Sequence, residues 1–190
     1  MSAMDDAERV HPHTSTAWWE WLAANHAQST GVWLVLDARK DDGELLGYET
    51  AVRHGLCFGW IDAQARAVDG LWMLWLSPRN ARSAWAATNK VRVTELEASG
   101  LMQPAGRLLI DAARANGMWT VLDGPEAGIE PPELSAALDA SPAARANWNA
   151  FPPSTRKLGL TQIAMARQDA TRTSRIAKLV AAAAQGIRPA

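Results

Sequence analysis

Hydrophobic positions change their spacing several times along the chain, and each change marks an element. Trp18, Trp21 and Leu22 recur at i, i+3 and i+4 behind Ser15 and Thr16, which predicts a helix to about His26 with Glu20 early against its dipole. Val32 to Leu36 is apolar at every position, as in a strand buried on both faces. Asp37 to Gly47 reads as a polar loop. A short helix is expected from near Tyr48, with Ala51, Val52, Gly55 and Leu56 inward and Gly59 at its end. Trp60 to Val68 then reads as a strand, Asp69-Gly70 as a tight turn and Leu71 to Leu76 as the return strand.

Ser77-Pro78-Arg79 breaks the sheet pattern. A helical pattern runs from Ser83 through Val91 and Leu96 to Gly100. Pro104 opens another helix to Asn116, with Leu108, Leu109 and Ala112 inward and Gly117 as its stop. Residues 122–132, LDGPEAGIEPP, read as a linker. Helices are expected near 132–140 and from Pro142 to Asn149, then a break at Phe151-Pro152-Pro153. A final helical pair follows, with Leu158, Ile163 and Met165 inward in the first and Ile176, Leu179, Val180 and Ala183 in the second. The expected fold class is α+β: a small antiparallel sheet with flanking helices, followed by an all-helical C-terminal module. The expected domains are a loose tail at 1–15, an α+β domain at 16–121, the linker, and a helical module at 133–190.

Composition sharpens this picture. Of 190 residues, 48% are hydrophobic and 21% charged, which excludes a disordered chain. Ten tryptophans stand against two Phe and one Tyr, so Trp supplies most of the aromatic mass available to a core or a binding surface. The single cysteine, Cys57, has no internal partner, which fits a reducing compartment. Met1 to Val10 is acidic and has no signal-peptide pattern, and no apolar run approaches a membrane span. The expectation is a cytoplasmic protein without membrane insertion.

Net charge is −1 but unevenly spread. Residues 151–190 carry +6 and the remainder −7. Arg172, Arg175 and Lys178 share one side of the expected last helix, a candidate surface for an anionic partner. The alternative is mutual attraction between two parts of one protein. Nucleic acid is the less favoured partner, because no aromatic follows Phe151 to stack on bases.

Candidate chemistry is sparse. His11, His13, His26 and His54 lack metal-motif spacing, so no metal is expected and His11-Pro12-His13 reads as tail. Phosphate-loop and dinucleotide motifs are missing, so no cofactor is expected. No GxSxG occurs, and no catalytic residue is assigned. Cys57 has His54 one helical turn earlier, an arrangement that can activate a thiol, but its neighbours Leu56 and Phe58 suit a buried, inert cysteine. The densest cluster is LCFGWID at 56–62, followed by Arg66, Ser77-Pro78-Arg79, Ser83 and Trp85. Trp60 and Asp62 share a strand face, with Arg79 beyond the return strand. Two readings stand: a pocket for a planar or anionic ligand, or a packed hairpin end in which Asp62 pairs with an arginine.

These residues also carry a resemblance. Trp21 to His26, Gly31 to Leu34, Tyr48 to Val52, LCFGWID at 56–62, Ser77 to Arg79, Ser83 to Trp85, Asn89 and GLMQPAG at 100–106 resemble the YdeI/OmpD-associated bacteriocin-protection family. Ala164, Ala166-Arg167 and ATRTSRI at 170–176 resemble its OmdA module. The chain departs from the family pattern at Ala63, where Gly is usual, at Ala86, where Ser is usual, and at Val121-Leu122. The resemblance implies an α+β first part akin to the YjbR/frataxin-like superfamily, a helical second part, and an association with protection against bacteriocins and antimicrobial peptides. It supplies no catalytic residue. The combined expectation is a non-catalytic binding protein for an unidentified small ligand or protein, with Trp60, Asp62, Arg66, Arg79, Ser83, Trp85 and Asn89 bordering its site. An enzyme centred on the hairpin, and nucleic-acid binding by the basic C-terminal helices, are the alternatives.

Overall fold

The structure is a computed structural model that describes residues 7–37 and 45–189. The chain divides into two compact units, Met1–Ser83 with Thr88–Asn116, and Ala84–Ala87 with Gly117–Ala190. The first is an α+β unit and the second is helical. The division thus falls at Gly117, ahead of the expected linker, and α5 (Asp123–Glu126) occupies part of that stretch, with Pro125 buried.

The first unit is built on a four-stranded sheet in the order β1-β2-β4-β3. Its strands are β1 (Arg9–Val10), β2 (Val32–Leu36), β3 (Trp60–Val68) and β4 (Leu71–Pro78). The β3–β4 hairpin matches the sequence pattern because its turn is local: Asp69 (φ 52°) and Gly70 (φ 80°) both take the left-handed conformation a two-residue turn needs. A register shift between Asp62 and Gln64 leaves Ala63 as a bulge. The sheet is mixed rather than wholly antiparallel. Arg9 and Val10, in the stretch read as loose tail, pair in parallel with Trp33 and Leu34. A two-residue strand has no periodicity of its own, so only its partner reveals it.

Every residue of β2 is buried, as its unbroken apolar run requires. Trp33, Val35, Met73 and Trp75 pack together on one face, and Arg66 lays its guanidinium 3.7 Å from the centroid of the Trp33 ring. Helices α1 (Ser15–Asn25), α2 (Tyr48–Cys57), α3 (Ala87–Ala98) and α4 (Pro104–Ala115) complete the unit, α3 starting at the boundary with the second. Thr14 caps α1 by accepting from the Ala17 N–H at 3.2 Å. In α4 the buried positions are Gly106, Ile110 and Ala113. Leu108, expected inward, is 70% exposed, because Gly106 lets the helix approach α2 along a different face. Most of the expected loop at 37–47, and the first six residues of the expected tail, lie outside the described residues.

The second unit contains α5, α6 (Pro132–Asp139), α7 (Pro142–Ala150), α8 (Pro153–Ala164) and α9 (Asp169–Ala184). Its core joins Leu134, Leu138, Trp148, Phe151, Leu160, Ile163, Ile176, Leu179 and Ala183. The α9 stripe is the one its spacing predicts. In α8 the inward residue is Leu160 rather than Leu158, which is exposed; Gly159 sits against Leu179 and Trp148 and turns that face toward the core. No helix among the described residues is long and apolar enough to cross a membrane.

Candidate functional site

At the hairpin end of the first unit, the expected site residues are already committed to packing. Trp60 is 1% exposed and donates its indole N–H to the His26 carbonyl at 3.1 Å, while its ring meets Trp21 edge-on. Arg79 is 5% exposed. Burial lowers its guanidinium to about 10, against the opposing pull of the Asp62 carboxylate. Asp62 accepts a 2.8 Å hydrogen bond from the Tyr48 hydroxyl. Burial and that bond together push the Tyr48 phenol up to about 12.

Asn89 is buried and accepts from Arg92 Nη1 at 2.8 Å, which orients that arginine for a two-pronged grip on Glu49 at 2.9 and 2.6 Å. Ser83 is half-buried and closes a turn with its N–H on the Asn80 carbonyl. Trp85 belongs to the second unit, where it is buried and tilts against Trp119 at 5.1 Å between ring centroids. The structure therefore brings Asp62 and Arg79 into electrostatic contact and adds Tyr48 to them. None of the seven expected residues lines any of the three recesses described among these residues.

Cys57 is wholly buried, and burial raises its thiol to about 12. That is the reverse of an activated nucleophile. The basic face of α9 is also partly committed. Arg172 pairs with Glu133 at 3.4 Å, and Arg175 donates to the Gln162 carbonyl. Lys178 is exposed, and with Arg175 and Arg188 it borders a recess of about 240 Å³.

A recess of about 390 Å³ lies within the second unit. Its walls come from α5, the turn after it, the end of α7 and the start of α8. Exposed Pro153 borders it, with the buried Pro125, Trp148 and Leu160 directly behind its wall. Two carboxylates border it, and both are already engaged. Glu126 accepts from Lys157 at 3.1 Å and from the Ala87 N–H at 2.9 Å. Glu130 takes Arg145 Nη1 at 2.8 Å and the Trp148 indole N–H at 2.8 Å. Arg145 continues to Asp139 and to Ser135, so this wall is held by one fully used guanidinium.

Arg156 differs. It also lines the recess, and its Nε is buried with no hydrogen-bond partner. It sits one turn into α8, whose start carries Pro152 and Pro153 and no side-chain cap, so the first N–H groups of that helix stay unclaimed by side chains. An arginine donor, a helix start and an apolar wall together suit a ligand with one anionic group and an apolar body. A sequence signal for this existed. Arg156 and Lys157 stand at the start of a helix with no acid in its first turn, where the dipole favours negative charge.

The chain's similarity to known proteins falls along the same division. Residues 10–108 match the family model described as Domain of unknown function (DUF8412). Residues 128–186 match the one described as Bacteriocin-protection, YdeI or OmpD-Associated. No curated protein matches the chain, and neither does any solved structure.

Proposed function

This chain belongs to the family of the Domain of unknown function (DUF8412) and carries a YdeI or OmpD-associated domain, and from that premise we propose a non-catalytic cytoplasmic binding protein that contributes to bacteriocin protection. The recess of the second unit is its ligand site. The carrying observation is Arg156, whose buried Nε faces no acceptor while every carboxylate around it is engaged. A ligand carboxylate would pair with the Arg156 guanidinium that lines the recess and with the α8 start, with the ligand's apolar part against Pro153 and the wall backed by Trp148 and Leu160. A peptide chain end has this chemistry.

Catalysis through Cys57 loses support, since a thiol raised to about 12 is protonated at neutral pH. Nucleic-acid binding by α9 loses support because Arg172 and Arg175 already serve internal partners. The test is survival of a sensitive bacterial host expressing either the wild-type chain or Arg156→Gln at equal level during bacteriocin challenge. Wild type should raise survival over empty vector, and the variant should not. Equal protection by both, or none by wild type, refutes the reading.

A further inference from the structure

The parallel pairing of β1 with β2 has a chemical consequence at its far end. Because the two strands run the same way, the residues that leave them emerge side by side. His11 and His13 follow β1, and Asp37 follows β2. His11 Nε2 lies 2.7 Å from one Asp37 oxygen, and His13 Nδ1 lies 2.8 Å from the other. The three potential ligand atoms lie within 4.8 Å of one another, and the imidazole centroids are 3.8 Å apart.

From these positions we infer a binding site for a first-row divalent metal ion, with Zn²⁺ the best-suited probe, formed by His11, His13 and Asp37. The donor set is two imidazoles and one carboxylate without a thiolate, which suits zinc and its Irving–Williams neighbours and disfavours calcium or magnesium. Metal–ligand distances of about 2 Å place such donors roughly 3 Å apart around the ion, so the observed spacings need only a small side-chain adjustment. Without an ion, each imidazole must spend an N–H on the same carboxylate. On metal binding a neutral ring shifts its proton to the other ring nitrogen, a charged ring releases it to solvent, and the freed lone pair binds the ion.

The backbone holds this arrangement ready. His13 adopts φ 58°, an uncommon conformation for a residue with a side chain. Its carbonyl accepts from the Leu46 N–H at 2.8 Å, and Thr14 immediately beyond it caps α1. Three protein ligands leave at least one position for water or a small donor. Asp37 is 24 residues from His13 in sequence, which is why the pair His11-Pro12-His13 alone carries no metal signature.

The experiment is calorimetric titration of tag-free, chelator-treated full-length protein with Zn²⁺, and parallel Co²⁺ titration followed by visible absorption. The expected result is one ion per chain, a rise in thermal midpoint with Zn²⁺, and affinity reduced about tenfold or more in each of His11→Gln, His13→Asn and Asp37→Asn. Asparagine tolerates the left-handed backbone at position 13. His26→Gln, whose imidazole Nδ1 pairs with the Leu22 carbonyl in α1, should bind as wild type does. Circular dichroism confirms that each variant is folded. No saturable binding by wild type, or binding that survives all three ligand substitutions, overturns the site.

Discussion

Gly106→Ala tests whether α4 packs on the end of α2 as described. A β-carbon built on Gly106 would stand 2.4 Å from the Cys57 carbonyl oxygen, 2.6 Å from that of Leu56 and 2.7 Å from the Met102 sulfur. The sulfur can swing away. The two carbonyls are backbone of α2 and cannot, so the helices must separate by about 1 Å to restore ordinary van der Waals distance. Overpacking of this kind costs about 1–3 kcal/mol, and two backbone clashes place it at the upper end. Alanine returns up to about 1 kcal/mol in helix propensity. The net loss is about 2 kcal/mol, a fall of roughly 4–8 °C in the thermal midpoint for a chain of this length. Scanning calorimetry of wild type and variant measures it. Gly124→Ala in α5 is the contrast, since beyond its own helix backbone and chain neighbours no described atom lies within 4 Å of the added carbon; its midpoint should hold or rise by the propensity gain alone. A Gly106→Ala protein as stable as wild type, or more so, refutes the helix contact.

Two further outcomes follow from the same unit. Tyr48 is the chain's one tyrosine, so its ionisation can be followed by ultraviolet absorbance without deconvolution; the midpoint should fall near about 12, and Asp62→Asn should lower it. The sign for stability follows: a folded-state value raised above the unfolded one contributes fully below about pH 10 and is lost as pH rises through about 12. Cys57 should resist iodoacetamide in the folded protein and react promptly once unfolded; rapid labelling of the native state would contradict its burial.

What could be read from sequence was what local chemistry dictates. The hairpin around Asp69-Gly70, the buried run of β2 and the α9 stripe each carry their period and punctuation within a few residues. Tertiary choices were not legible. Leu108 and Leu109 have the same apolar character as Ile110, and only the absent side chain of Gly106 decides which face turns inward. The short β1 depends wholly on β2. The tryptophan excess resolves mainly into core, with Trp18, Trp33, Trp60, Trp75, Trp85 and Trp148 all buried.

For the sites the same division holds. Trp60 and Asn89 stand out in the sequence for their chemical character, but their polar atoms serve neighbours in the fold, and Arg79 is buried within the field of the Asp62 carboxylate. No local spacing joins Arg156 to Trp148, because their meeting in one recess depends on the path of the chain from α5 through α8. His11, His13 and Asp37 converge through a parallel pairing that no spacing rule announces.

The central claim, that the recess beside Arg156 captures an anionic chain end, is tested most directly by titrating the labelled full-length protein with an acetylated leucine tripeptide. The free acid and the C-terminal amide are compared, and the Trp148 indole N–H signal is followed by NMR. The account predicts saturable binding of the acid at one site that shifts Trp148, about tenfold or more weaker binding of the amide, and loss of that difference in Arg156→Gln. Acid and amide that bind alike, or an acid that leaves Trp148 unmoved, would contradict it.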